Sequence, residues 1–244
     1  MMMSDVSINI MTLKSVNLKG ATVIDGFPSE LITNSIASQC FLRSIDTQLI
    51  GIIESPVFDQ LTIVKNELPS YPVRIYANEK LNVAIFISDI KIEPTMYHPI
   101  GKAILQWAKD SGCKLIISAS SIIESNNVEN SISDYTIYGI GNTEQTRMKL
   151  KSSNITIFGN GSISGLPAIL LNKGSINGLE VMVLIVRVLE GIPDYRAAAE
   201  LSKAIIALVP GIKCDISLLI NQAEMIEKDL KKIRNQNNSV NLYG

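Results

Sequence analysis

The sequence predicts a single α/β domain: a three-layer α/β/α sandwich around a mostly parallel, mixed central sheet. Short β-branched runs alternate with helix-period segments along most of the 244 residues, the pattern of strand–helix–strand units. Several of the runs, such as "LNVAIFISD" and "LEVMVLIVRVLEG", are apolar almost throughout, as strands covered on both faces must be. No internal repeat or break in composition divides the chain. One domain is therefore expected over residues 1–234, followed by a flexible tail over 235–244.

The elements follow in order. "ATVID" (21–25) reads as a strand that turns through "GFP" into a helix over "SELITNSIASQCFLRSI", with Ser29 as N-cap and Glu30 in the first turn. Strands over 47–55, 60–66 and 72–78 are separated by Pro-containing turns and no helix, which predicts an antiparallel or mixed section. A buried strand over 81–89 leads to a helix over 98–112, with His98 and Pro99 at its start and Gly112 at its C-terminal cap. "KLIISAS" (114–120) is a further buried strand, and the polar stretch 121–134 reads as a surface loop. "YTIYGIG", a helix over "NTEQTRMKLKSS" and the strand "NITIFG" make another alternating unit. A helix over Leu166–Asn172, a central strand within 179–191, an Ala-rich helix ending near Pro210 and a final helix from Asp215 complete the chain.

Apolar residues make up 46% of the chain and charged residues 18%, enough to build a sizeable core. With 22 basic and 23 acidic residues the net charge is −1, so no basic field exists to attract nucleic acid. "MMMSDVSINI" lacks the basic and apolar regions of a secretory signal. The most apolar run, Val181–Leu189, is too short to span a membrane and contains Arg187. Cys40, Cys113 and Cys214 are odd in number and widely spaced, which argues against a disulfide framework or a zinc site and for a reducing cytoplasm.

Catalytic patterns are weak. After the first strand Gly26 stands alone and Pro28 removes a backbone donor, so "GFPSEL" reads as a structural turn more than as a phosphate cradle. Gly159, Gly161 and Gly165 miss the dinucleotide fingerprint by one residue and read as a tight turn feeding a packed helix. His98 is the only histidine, and no Gly-x-Ser-x-Gly turn accompanies any serine. A metal site would have to join it to Asp89 and Glu93, which read as ordinary loop charges, while Cys113 reads as a small core residue. No catalytic set and no cofactor are expected. The chain end differs, because Leu242, Tyr243 and Gly244 combine an aliphatic group, an aromatic hydroxyl and a terminal carboxylate behind the polar tether "NQNNSVN". A partner pocket with an apolar wall and a basic residue would accept all three.

From about Gly20 to Ile233 the chain resembles the proteasome assembly chaperone family, in its archaeal branch. The resemblance rests on "VIDGFPSELITNSIASQCFL", on "IGIIESPVFDQLTIVKNELPSYPVRIY" with its Pro-x-Arg-x-Tyr strand, and on "YHPIGKAILQWAKDSGCKLIIS". "YGIGNTEQTRMKL", "SGLPAILLNKGSINGLEVMVLIV" and "IPDYRAAAELSKAI" follow in the family's order. One departure is that Ser29, Glu30, Leu31 and Ile32 stand where the family carries further glycines. The resemblance implies an architecture like that of nucleoside phosphorylases without their catalytic residues. It also implies a cytoplasmic, non-enzymatic homo-oligomer, with a paralogue as a conceivable companion, that assists assembly of the proteasome α-ring. The family's hydrophobic–Tyr–any-residue tail enters pockets between α-subunits, and Leu242, Tyr243 and Gly244 match it residue by residue. The alternatives are a small-ligand enzyme of nucleoside phosphorylase or ligase type, using the Gly26–Pro28 and Gly159–Gly165 turns, and a proteasome activator or adaptor using the same tail.

Overall fold

A computed structural model describes residues 7–28, 32–58, 60–124, 135–189 and 193–240. In chain order its elements are β1 (Asn9–Thr12), β2 (Thr22–Gly26), α1 (Thr33–Ser44), β3 (Gln48–Glu54), β4 (Ile63–Lys65), β5 (Leu68–Ser70), β6 (Val73–Asn78) and β7 (Val83–Ser88). A 3₁₀ turn (Pro94–Met96) then leads into α2 (Tyr97–Asp110), β8 (Leu115–Glu124), β9 (Tyr138–Gly141), α3 (Glu144–Ser152), β10 (Thr156–Ile157), α4 (Gly165–Ile176), β11 (Glu180–Leu189), α5 (Tyr195–Leu208) and α6 (Ile216–Val240).

The strands of the main sheet lie in the order β1-β3-β6-β7-β2-β8-β11-β9-β10. Its centre, β7-β2-β8-β11, is parallel. The β1-β3-β6-β7 flank is antiparallel, as the helix-free stretch of sequence requires, and β9 runs antiparallel to β11 on the other side. Each central strand feeds two cores by simple alternation. Val23, Phe86, Ile116 and Val181 face a core shared with Ile100 and Ile104 of α2 and Leu166 and Leu170 of α4. Ile24, Ile85, Ile117 and Met182 face the opposite core, shared with Phe41 of α1 and Leu201 and Ile205 of α5. Helices thus cover both faces of the sheet, and α/β/α layering follows from the two-sided burial. Gly112 takes φ +68 after α2, the left-handed conformation expected of a glycine cap.

Several expectations are corrected. β4 and β5 form a separate two-stranded hairpin and do not join the main sheet. β8 continues to Glu124, four residues into the stretch read as loop, because it stays paired with β11 up to Leu189. The first helix begins at Thr33, and Ser29, its expected cap, lies outside the described residues. α6 runs to Val240, so most of the tether expected from residue 235 is helical, and no glycine or proline interrupts that stretch. Cys40 on α1 and Cys214 just before α6 form a disulfide, with Cα atoms 5.3 Å apart and a sequence separation of 174. Spacing could not reveal a pair that only the tertiary fold brings together, and with Cys40 and Cys214 bonded the cysteines no longer point to a reducing compartment. Among the described residues no helix is long and apolar enough to cross a membrane.

Candidate functional site

The Gly-Phe-Pro turn is built by close approach. A Cβ on Gly26 would stand 2.6 Å from Cβ and Oγ of Ser38 on α1 and would strike the Phe86 carbonyl oxygen of β7, so glycine lets the helix sit against the strand end. Asn34 fastens the turn from α1, its amide donating to the carbonyls of Asp25 (2.6 Å) and Phe27 (3.1 Å). The Asp25 side chain, 2% exposed, accepts the Phe27 N–H at 3.0 Å and the Ser118 hydroxyl of β8 at 2.5 Å. Burial pushes its carboxyl up to about 6 against the opposing pull of those two donors, with Ser118 the stronger.

Directly over this turn lies a cavity of about 570 Å³. Asp25, Phe27 and Pro28 line it from β2, Ala119–Ser121 from β8, Lys91, Ile92, Pro94 and Tyr97 from the approach to α2, and Ser164–Pro167 from the start of α4. The fold therefore brings the first glycine turn, through Phe27 and Pro28, and the end of the second glycine segment, through Ser164 and Gly165, to one space, while Gly159 and Gly161 are not among its lining residues. As the last residue of the "ATVID" strand, Asp25 belongs to no motif that marks it as a site residue. The signal was present: a lone carboxylate closing an otherwise apolar buried strand, where burial of a charge has to be compensated.

The other candidates stand apart. His98 is exposed on α2. Asp89 is held by Arg74 and, at 2.8 Å, by Lys65, which occupies its oxygens with cations. No group of three or more His, Cys, Asp or Glu suited to a metal ion occurs among the described residues. Cys113 is buried, and desolvation pushes its thiol up to about 11, which keeps it in the unreactive protonated form.

At the far end of the chain α6 is anchored by its first turns. Leu219 packs with Ala198 and Ala199 of α5 and with Cys40. Arg196 donates to Glu227 twice, at 2.5 and 3.1 Å. The helix ends at Val240, and the partner-binding residues expected from the sequence, Leu242, Tyr243 and Gly244, lie outside the described residues.

The sequence model of the PAC2 family matches residues 23–234. The chain belongs to the PAC2 family. An uncharacterized protein of Methanocaldococcus jannaschii is 27% identical over 221 residues, covering 91% of this chain and 88% of its own. The crystal structure of Pyrococcus furiosus PbaA in its monoclinic form, an archaeal homolog of proteasome-assembly chaperone, superposes with a TM-score of 0.82. It is 27% identical, and the match covers 96% of this chain and 94% of PbaA. Pyrococcus furiosus PbaB, an archaeal proteasome activator, shares the fold at a TM-score of 0.78 and 17% identity, over 93% of this chain and 99% of PbaB. The PAC2 match ends at residue 234, inside α6, and takes in the whole cavity.

Proposed function

We propose that this PAC2-family chain is a non-enzymatic proteasome assembly chaperone of the cytoplasm that binds α-subunits through Leu242, Tyr243 and Gly244 and assists assembly of the α-ring. The observation that carries the proposal is the likeness to PbaA along nearly the entire chain, 96% of it, joined to a C-terminal sequence of hydrophobic–tyrosine–any-residue type. Leu242 would gain roughly 1.5–3 kcal/mol on full burial in a partner pocket. Tyr243 would bury its ring and satisfy its hydroxyl, and the Gly244 carboxylate would pair with a lysine of the partner.

One such tail binds weakly, because ordering it opposes these gains. A homo-oligomer, with or without a paralogue, presents several tails to a ring of pockets and gains avidity without new contacts. Val64 and Leu68 on the β4–β5 hairpin, 68% and 69% exposed, are apolar surface of the kind that subunit contacts cover. The test is a pull-down of α-subunits with the intact chain and with a chain lacking Leu242–Gly244. Capture is expected to disappear on truncation while the fold persists. Preferential capture of finished particles over free α-subunits would instead assign an activator or adaptor.

A further inference from the structure

The cavity above β2 and β8 is left unused by a chaperone that works through its tail, yet it has the features of a built site. Its position is the first. In open α/β sheets ligands bind beyond the carboxyl ends of parallel strands, at the point where the chain's path across the sheet reverses. Here β2 lies between β7 and β8, parallel to both. The helix that follows β2, α1, packs on one face of the sheet, and the helix that follows β7, α2, packs on the other. The cavity opens at the ends of those strands, lined by Phe27 and Pro28 after β2, by Lys91 and Ile92 after β7 and by Ser120 and Ser121 of β8.

Its chemistry is the second feature. Asp25 belongs to the lining, although it is 2% exposed and both its oxygens already accept a hydrogen bond. A carboxylate has about four acceptor positions, and partners among the described residues fill two of Asp25's. Ser120, Ser121 and Ser164 add hydroxyls that can donate or accept. Lys91 supplies a cation and is exposed, as a residue at the mouth is. Phe27, Ile92, Tyr97 and Leu166 supply apolar surface for the body of a ligand. The volume falls within the range of small-molecule sites, which combine apolar walls with a few polar groups. Burial raises the Asp25 carboxyl to about 6, and groups shifted in this way are concentrated at functional sites.

We infer that this cavity binds a small organic monophosphate whose hydroxyl-bearing body reaches Asp25 and the serines while its anionic group meets Lys91. Sugar phosphates and nucleoside monophosphates share this chemistry. No bond is made or broken in the proposal.

The experiment is calorimetric titration of the full chain with four probes: ribose 5-phosphate, adenosine monophosphate, adenosine and inorganic phosphate. At least one of the two organic monophosphates is expected to bind saturably, and which one binds distinguishes the two sources. Adenosine and inorganic phosphate each lack half of the recognised chemistry and should bind at least ~10-fold more weakly. Lys91→Ala, an exposed position that leaves the core untouched, should weaken the monophosphate ~10-fold or more, and Asp25→Asn should do the same through the other end of the ligand. No heat with either monophosphate would overturn the inference. So would binding that survives unchanged in both variants. Because the readout involves no α-subunit, either result leaves the chaperone proposal standing.

Discussion

Asp25 and Asp89 are both nearly buried carboxylates at strand ends, and the fold treats them in opposite ways. Among the described residues Asp25 has hydrogen bonds but no ion pair, and its carboxyl is raised from 3.8 to about 6 with burial as the main cause. A raised value means that the native state holds the proton between those two pH values. The stability it contributes is complete below about pH 4 and is lost as pH rises through about 6. At pH 7 the buried charge therefore costs on the order of 2–3 kcal/mol. Asp25→Asn should be more stable than the parent at pH 7 by up to that amount and lose this part of the pH dependence, which urea titrations at pH 4 and pH 7 would register. The amide still accepts from Phe27 and can donate to Ser118. Asp89, by contrast, is engaged by Arg74, itself 4% exposed. Asp89→Ala would leave that guanidinium buried without its carboxylate, a loss of roughly 3–5 kcal/mol. Lys65→Ala removes only a half-exposed partner of the same carboxylate and should cost less than about 1 kcal/mol. Equal losses in the two variants would show that Arg74 does not depend on Asp89. The arginine of the Pro-x-Arg-x-Tyr strand was visible in the sequence, but its partner was read as a loose loop charge. The pairing joins β6 to the residue just past β7, and no spacing rule connects them.

Among the elements, those buried on both faces were the legible ones. β7 and β11 are recognisable because continuous apolar runs leave few other readings, and α2 and α5 because their apolar residues return at helical period. β1 was missed because it is a short, largely exposed edge strand in which only Ile10 packs against the core, and β5 because Pro69 sits inside it. The extension of α6 was missed because "NQNNSV" is polar and lacks the apolar stripe that normally betrays a helix. The disulfide belongs at this scale too, since it fixes the root of α6 to α1 across 174 residues. Closing so long a loop restricts the unfolded chain and stabilises the native state by about 2–5 kcal/mol. Reduction with a dithiol, or Cys40→Ala, should lower the melting temperature accordingly. Hydrogen exchange should rise over residues 216–228 ahead of the central strands. A melting temperature indifferent to reductant would show that the bond contributes nothing to the fold.

At the scale of the whole molecule, a rigid α/β/α body carries a long terminal helix whose last described residue, Val240, precedes the proposed binding residues. The division of labour is physical. The body supplies a root for α6 through Leu219, Glu227 and the disulfide. Under the proposed function each tail would bind weakly, and several acting together would gain avidity. The fold class was readable from hydrophobic patterning, because strands covered on both faces leave continuous apolar runs. The cavity was readable only in fragments, as two glycine turns that nothing in the sequence joined. The most direct measurement is quantitative capture of purified proteasome α-subunits by the full-length chain, by a chain lacking Leu242–Gly244 and by Tyr243→Ala, with circular dichroism confirming equal folding. Capture by the full-length chain, lost on truncation and reduced at least ~10-fold by Tyr243→Ala, is the expected result. Equal capture by all three, or none by the intact chain, would contradict binding through the tail.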